Sequence, residues 1–229
     1  MKRSKFGSIA LLATCLAGIL AVTGCGPAGA EGQIGRLPDP TQDIHPSTPN
    51  MPQTVAFAGG CFWGIQGVFE HINGVISATS GYAGGTTVNP TYEEVSSGRT
   101  GHAETVKVVF DPSKVSYGQL LQIFFSVALD PTEVNRQGPD TGTQYRSIVF
   151  FNSPSQERVA RAYIGQLEGA KIFSRPIATQ ILPLSAFYPA EAYHQDYMKH
   201  HPESPYIFIN DLPKVAHLKS QFPHDYRND

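Results

Sequence analysis

The chain has 229 residues, of which 41% are hydrophobic and 16% charged, enough for one globular domain with terminal extensions to spare. Its net charge of −2 gives no basic surface for nucleic acid and describes an ordinary soluble exterior.

In chain order, the first feature is a targeting segment. MKRSK is basic, FGSIALLATCLAGILAV carries no charge, and TGCG follows. A basic head, an apolar run and small residues before a cut are features of an export signal. Val22-Thr23-Gly24-Cys25 resembles the lipobox of bacterial lipoproteins. That resemblance implies a signal peptide over residues 1–24, cleavage before Cys25, and acylation of its sulfur and amine. The chain is then exported and lipid-anchored to a bacterial membrane on the periplasmic side, and Gly26 favours the outer membrane. An uncleaved anchor and a soluble export signal are the alternatives, since the apolar run nears the ~18 residues of a span. In this scheme Cys15 leaves with the signal and Cys25 becomes a thioether. Cys61 is then the one thiol of the mature chain, which marks it as reactive or intermolecular. Residues 25–52 are rich in Gly, Pro, Thr and Asp without an apolar period, and read as a flexible spacer.

The domain begins with TVAFA, a short buried strand turned by Gly59-Gly60. Apolar residues at 62, 65, 69 and 72 then fall on one helix face, which puts Cys61 at a strand-to-helix turn. GVISATSGYAGG is a second strand entering a glycine loop, and ETVKVVFDP a third with clean alternation. SYGQLLQIFFSVALDP reads as a helix opened by the capping-box pair Ser116 and Gln119 and stopped at Asp130-Pro131. RSIVFF is a strand. The next helix has Ser153 as cap, Pro154 at its first position and Gln156 three after the cap. IATQIL is the last strand, and the remainder is loop-rich with aromatics and histidines. The order βαββαβαβ predicts a two-layer α+β domain with a mixed or antiparallel sheet. A doubly wound α/β sheet competes, against the direct connection of the second and third strands.

Chemistry centres on GCFWG. A thiolate is the nucleophilic form of cysteine, and helix N-terminal amides favour the anion. Gly60 and Gly64 let substrate or backbone approach closely. Glu104 shares a strand face with Val106, Val108 and Phe110, so poor solvation should raise its pKa and suit it to act as an acid; a strand-end carboxylate turned to solvent is equally compatible with the pattern. Tyr92, Tyr145, Tyr188, Tyr193 and Tyr197 offer phenol donors without charge. The eight histidines lack ligand spacing, so no metal is expected, and neither His102 nor His194 is given a catalytic role.

GCFWG (60–64), GYAGG (81–85), YEEV (92–95), GHAE (101–104), DTGTQYRS (140–147) and FYPAEAYHQDY (187–197) together resemble peptide methionine sulfoxide reductase of the A class. The resemblance implies a catalytic domain over 53–212, a C-terminal tail over 213–229, and a two-layer plait with a ferredoxin-like core. It implies reduction of the S epimer of methionine sulfoxide by the Cys61 thiolate, with Glu104 as acid and Tyr92 and Tyr145 on the same oxygen. Phe62 and Trp63 match the pocket for the S-methyl group, and Asp140 and Tyr197 match substrate-binding positions. Many relatives carry resolving cysteines near the C-terminus, whereas PKVAHLKSQFPHDYRND has none. An outside thiol, such as a thioredoxin-like protein, a glutaredoxin or a small thiol, is therefore expected to reduce the sulfenic acid, with no other cofactor. The expected partners are oxidised proteins or peptides. A cysteine protease and a tethered module that merely holds oxidised peptides are the rival readings.

Overall fold

The structure, a computed structural model, describes residues 1, 35–44 and 51–228. The expected signal peptide beyond Met1 and the Cys25 acylation site lie outside the described residues. The chain divides into two units, residues 1–33 and 34–229, and every described element belongs to the second. Among the described residues no helix is long and apolar enough to cross a membrane.

The second unit is an α+β fold on a mixed six-stranded sheet. Strand β1 (Gln53–Ala58) leads into helix α1 (Phe62–Glu70), then strand β2 (Val75–Ala83), helix α2 (Tyr92–Ser96) and strand β3 (Ala103–Phe110). Helix α3 (Tyr117–Ile123) follows, then the two-residue strands β4 (Arg136–Gln137) and β5 (Asp140–Thr141), which pair with each other. Strand β6 (Ile148–Phe151), helix α4 (Pro154–Gly169), strands β7 (Gln180–Pro183) and β8 (Phe187–Pro189), and helices α5 (Tyr197–His200) and α6 (Leu212–Gln221) complete it. The sheet order is β7-β6-β1-β3-β2-β8. Only β6–β7 is parallel; the other neighbours are antiparallel. A doubly wound parallel sheet is therefore excluded.

Alternation along the strands builds two cores of unequal depth. Val55 and Phe57 of β1, with Val106, Val108 and Phe110 of β3, join the large cluster shared with α1, α3 and α4. Ala56, Ala58, Ala83 and Ala103 face the other way and, with Ile148 and Phe150, meet Leu182, Leu184 and Phe187. The small side chains on that face let an extended segment, rather than a helix, cover the sheet. Helices α1, α3 and α4 thus pack on the face of the larger cluster.

The helix starts follow their caps. Ser116 and Gln119 form the reciprocal pair at α3, with Gln119 N–H to Ser116 Oγ at 3.1 Å and Ser116 N–H to Gln119 Oε1 at 2.9 Å. Ser153 caps α4, but Gln156 reaches one residue further back and accepts the Asn152 amide. The expected helix through residues 117–130 is regular only to Ile123 and widens into a π turn over Phe124–Ala128. Phe124 and Phe125 are both buried there, and the wider turn carries these adjacent rings into the core. Helix α2, with its Thr91–Glu94 capping box, was not expected as a helix.

Two terminal expectations need correction. The spacer 25–52 is not free over residues 35–44. Leu37 is buried, and Gln122 Nε2 donates to its carbonyl at 2.6 Å and to Asp39 Oδ1 at 2.9 Å. The Tyr163 hydroxyl bonds the Pro38 carbonyl at 2.9 Å, and Asp43 Oδ1 accepts the Gly118 amide at 2.9 Å. Polar side chains of α3 and α4 thus supply what the composition of this strap lacks. The tail 213–229 is likewise structural: α6 runs to Gln221, and Leu218 and Phe222 are fully buried in the main core. Truncating Leu218 to alanine should therefore cost about 2–5 kcal/mol, read as a lower midpoint in denaturant unfolding; a dispensable tail would leave the midpoint where it was.

Candidate active site

Cys61 is the N-cap residue of α1, at the end of the turn made by Gly59 and Gly60. Gly60 has φ +95 and packs against the Gln137 side chain, so both its backbone and its lack of a Cβ are needed. Cys61 is a free thiol and 8% exposed.

Glu104 sits opposite Tyr82 in the β2–β3 register and is 2% exposed. Its Oε2 accepts the Phe62 amide at 3.0 Å, which ties the acid to the residue next to the nucleophile. Burial pushes the Glu104 carboxyl up to about 8; the Phe62 amide opposes this, while the Asp140 and Asp211 charges add to it. Of the two arrangements left open by the sequence, the sheltered one is found.

The thiol behaves against expectation. A helix N-terminus was expected to favour the anion, yet burial pushes Cys61 well above the usual thiol range, helped by the charges of Glu104 and Asp211. The Trp63 amide and Lys214 oppose this, but they do not prevail. The physical reason is that the sulfur is buried, and the Trp63 amide does not offset that desolvation. Burial thus favours the proton on both the thiol and the carboxyl.

Around this pair the expected residues gather. Burial and the Glu104 charge both raise Tyr92 and Tyr145, which keeps these half-buried phenols as donors. Phe62 is 1% exposed and packs against Tyr82 and His194, with ring centres 5.9 and 5.1 Å away. Trp63 is the more open member of the aromatic pair. Tyr197 stacks on it at 3.7 Å, and Tyr206 meets it edge-on at 5.8 Å. Asp140 accepts a short hydrogen bond from the Tyr206 hydroxyl.

Three further participants, Tyr206, Glu191 and Asp211, escaped the sequence reading, and His194 has an orienting role beside them. The Tyr206 hydroxyl anchors Asp140. Glu191 accepts the Tyr82 hydroxyl at 2.8 Å and the Tyr92 amide at 2.9 Å, fixing where α2 begins. Burial acts to raise the Glu191 pKa, but its hydrogen bonds hold it below the usual carboxylate range, so it is an anion. His194 Nδ1 accepts the Trp63 indole N–H at 3.1 Å and so orients that ring; burial lowers its pKa, which keeps it neutral as this acceptor role requires. Asp211 is fully buried and paired with Lys214 at 3.0 Å. Gly64 was the available signal for Asp211, because a methyl there would overlap the carboxylate. Among the described residues no group of three or more His, Cys, Asp or Glu gathers as metal ligands.

Residues 53–226 match the family model described as peptide methionine sulfoxide reductase. The chain is 57% identical over 171 residues to the peptide methionine sulfoxide reductase MsrA 2 of Mesorhizobium japonicum, covering 75% of this chain and 88% of that protein. It is 48% identical over 173 residues to a peptide methionine sulfoxide reductase MsrA of Thermus thermophilus, covering 75% and 97%. Among solved structures, methionine sulfoxide reductase A of Corynebacterium diphtheriae superposes with a TM-score of 0.59 at 35% identity, over 76% of this chain and 87% of that one. Reduced Mxr1 from Saccharomyces cerevisiae gives 0.58 at 32% identity, over 67% and 87%.

Folding moves the Glu104 pKa from 4.5 to about 8. The protonated carboxyl is thus favoured in the folded chain, and its contribution to stability is complete below the unfolded value and is lost as pH rises through the folded one. Glu104→Gln is neutral throughout. Unfolding measured between about pH 5 and pH 9 should show wild type losing stability across that window relative to the variant; parallel curves would contradict a protonated Glu104.

Proposed function

The chain belongs to the peptide methionine sulfoxide reductase family, oxidoreductases acting on methionine sulfoxide, and from that premise we propose that Cys61 attacks the sulfur of the S epimer while Glu104 protonates its oxygen. The reading is carried by one observation: a buried carboxyl, which burial pushes up to about 8, accepts a hydrogen bond from the amide of the residue after the thiol.

A sulfoxide sulfur is a poor electrophile until its oxygen is protonated or strongly hydrogen-bonded. Glu104 supplies the proton, and Tyr92 and Tyr145 donate to the same oxygen. The Cys61 sulfur loses its proton and attacks. The oxygen ends on Cys61 as a sulfenic acid, and methionine leaves as the thioether. Two electrons pass from the cysteine sulfur to the substrate sulfur, the thiol proton replaces the one lent by Glu104, and the step balances without a cofactor. Trp63 receives the S-methyl group over the floor made by Phe62, and burial of that methyl favours binding. Asp140 and Tyr197 order the substrate side, Tyr197 through its stack on Trp63.

The epimer preference follows from the placement of unlike groups. Methyl and oxygen exchange places about the sulfur. The R epimer would set oxygen against Trp63 and methyl among the phenols, leaving buried donors unpaired.

No cysteine follows Cys61 in the chain, so the sulfenic acid is reduced by an external thiol, either a thioredoxin-like protein or a small molecule, through a mixed disulfide. Acylation of Cys25 tethers the enzyme to a bacterial membrane, where oxidised exported proteins and peptides are its substrates.

Peptides carrying separate R and S sulfoxides test the chemistry. Turnover should be confined to S, vanish in Cys61→Ser, and fall about 10²–10⁴-fold in Glu104→Gln. Equal rates with both epimers would defeat the geometric argument. Mass spectrometry of mature enzyme oxidised by substrate should find a sulfenic acid or its adduct on Cys61; a Cys25–Cys61 disulfide would overturn both the acylation and the recycling scheme.

A further inference from the structure

Helix α2, which carries Tyr92, is five residues long, and Val95 is its one buried residue. A single helical turn does not hold itself together in water, so its place depends on what grips it. At its first residue, Glu191 accepts the Tyr92 amide. At its last residue, the Ser96 carbonyl belongs to the set that a helix end leaves without an internal partner. That carbonyl accepts Gln144 Nε2 at 3.2 Å.

Gln144 stands next to Tyr145 in the turn over Thr143–Tyr145. The turn is stitched to the stretch that joins α2 to β3, the strand of Glu104. Thr143 Oγ1 donates to the Gly98 carbonyl at 3.4 Å, Gln144 to Ser96, and Arg146 Nη2 to the Gly101 carbonyl at 2.9 Å. Of these three side chains only Gln144 is buried, at 6% exposure. Room for it comes from Gly142, where φ is +144 and a Cβ would collide with the Gln144 amide. Gln144 Oε1 has no hydrogen-bond partner. An apolar side chain of the same length would fill that space without an idle acceptor, so the amide is accounted for by its bond to α2.

Tyr92 and Ser96 are four positions apart, on the same side of α2. Displacing the carbonyl end of so short a helix tips all of it, Tyr92 included. We propose that Gln144 is a positioning residue for the sulfoxide oxygen: by tying the last carbonyl of α2 to the turn that carries Tyr145, it sets the spacing of the two phenols. This rests on the reading of Tyr92 and Tyr145 as donors to that oxygen. Bonds to the oxygen strengthen as the transition state is reached, so a misplaced phenol costs rate. The methyl pocket is held by other links, from Trp63 to His194 and Tyr197, and keeps its affinity.

The test is single-turnover formation of methionine from an S-sulfoxide peptide by pre-reduced mature enzyme, which needs no reductant. Gln144→Met keeps the length and removes the donor. Its saturating rate should fall about ten- to a hundredfold, with the half-saturating peptide concentration unchanged. In Tyr92→Phe, itself slowed, the same substitution should slow nothing further, because it acts through the hydroxyl. A side chain that only fills space would lower the rate by the same factor in both backgrounds, and that result overturns the proposal. So does a wild-type rate in Gln144→Met, or a higher half-saturating concentration at unchanged rate. If Tyr92→Phe turns over as fast as wild type, the reading of Tyr92 falls and the proposal with it; equal losses in the two backgrounds strike the proposal alone. Where Gln144→Met does not fold, Gln144→Asn decides: it keeps the amide but is one methylene too short to reach Ser96. It should slow wild type and not Tyr92→Phe, and equal losses count against the idea.

Discussion

The hydrogen bond from the Phe62 amide to Glu104 joins the two halves of the site. It pins the start of α1, which carries the thiol, to β3, which carries the acid. Burial then acts in one direction on both groups, favouring the proton on the carboxyl and on the thiol. A water-filled site would ionise Glu104 and lose the acid. Exclusion of solvent is thus the constraint from which the acid's protonation follows.

The surrounding residues enclose the site through a network of side-chain hydrogen bonds. Gln66, one turn along α1, donates to Glu70, the Ala78 carbonyl and Asp196, while its oxygen accepts from Ser80. Gln195 reaches back to Ser80 and Ala190. Glu191 and His194 lie in the same short segment and fix Tyr92 and Trp63. The loop-rich part after β8 is therefore a clamp over α1 and β2, and its side-chain hydrogen bonds substitute for regular structure.

What the sequence disclosed was local. The capping pair Ser116–Gln119, the alternation that buries Glu104 beside Val106 and Val108, and the glycines around Cys61 are patterns within a few positions, so chain order alone reveals them. Tyr206, Asp211 and Glu191 act on residues about 70 to 150 positions away, and no local period marks them. The strap 35–44 and helix α6 were misjudged for a related reason. Their composition is polar and proline-rich, and their attachment depends on a few anchors, such as Leu37, Leu218 and Phe222, that composition averages away. The direction of the Cys61 shift does not follow from a helix-end argument, because counting amides leaves out the burial of the sulfur, which outweighs them.

The docked strap has a consequence for where such an enzyme works. Were Cys25 acylated as proposed, ten residue steps would separate the lipid from Gly35, where the docked strap begins. Ten steps reach at most about 35 Å, and a flexible chain of that length averages about half as much. A copy anchored in that way would patrol only a thin layer beside the bilayer, so damaged proteins would have to diffuse there for repair.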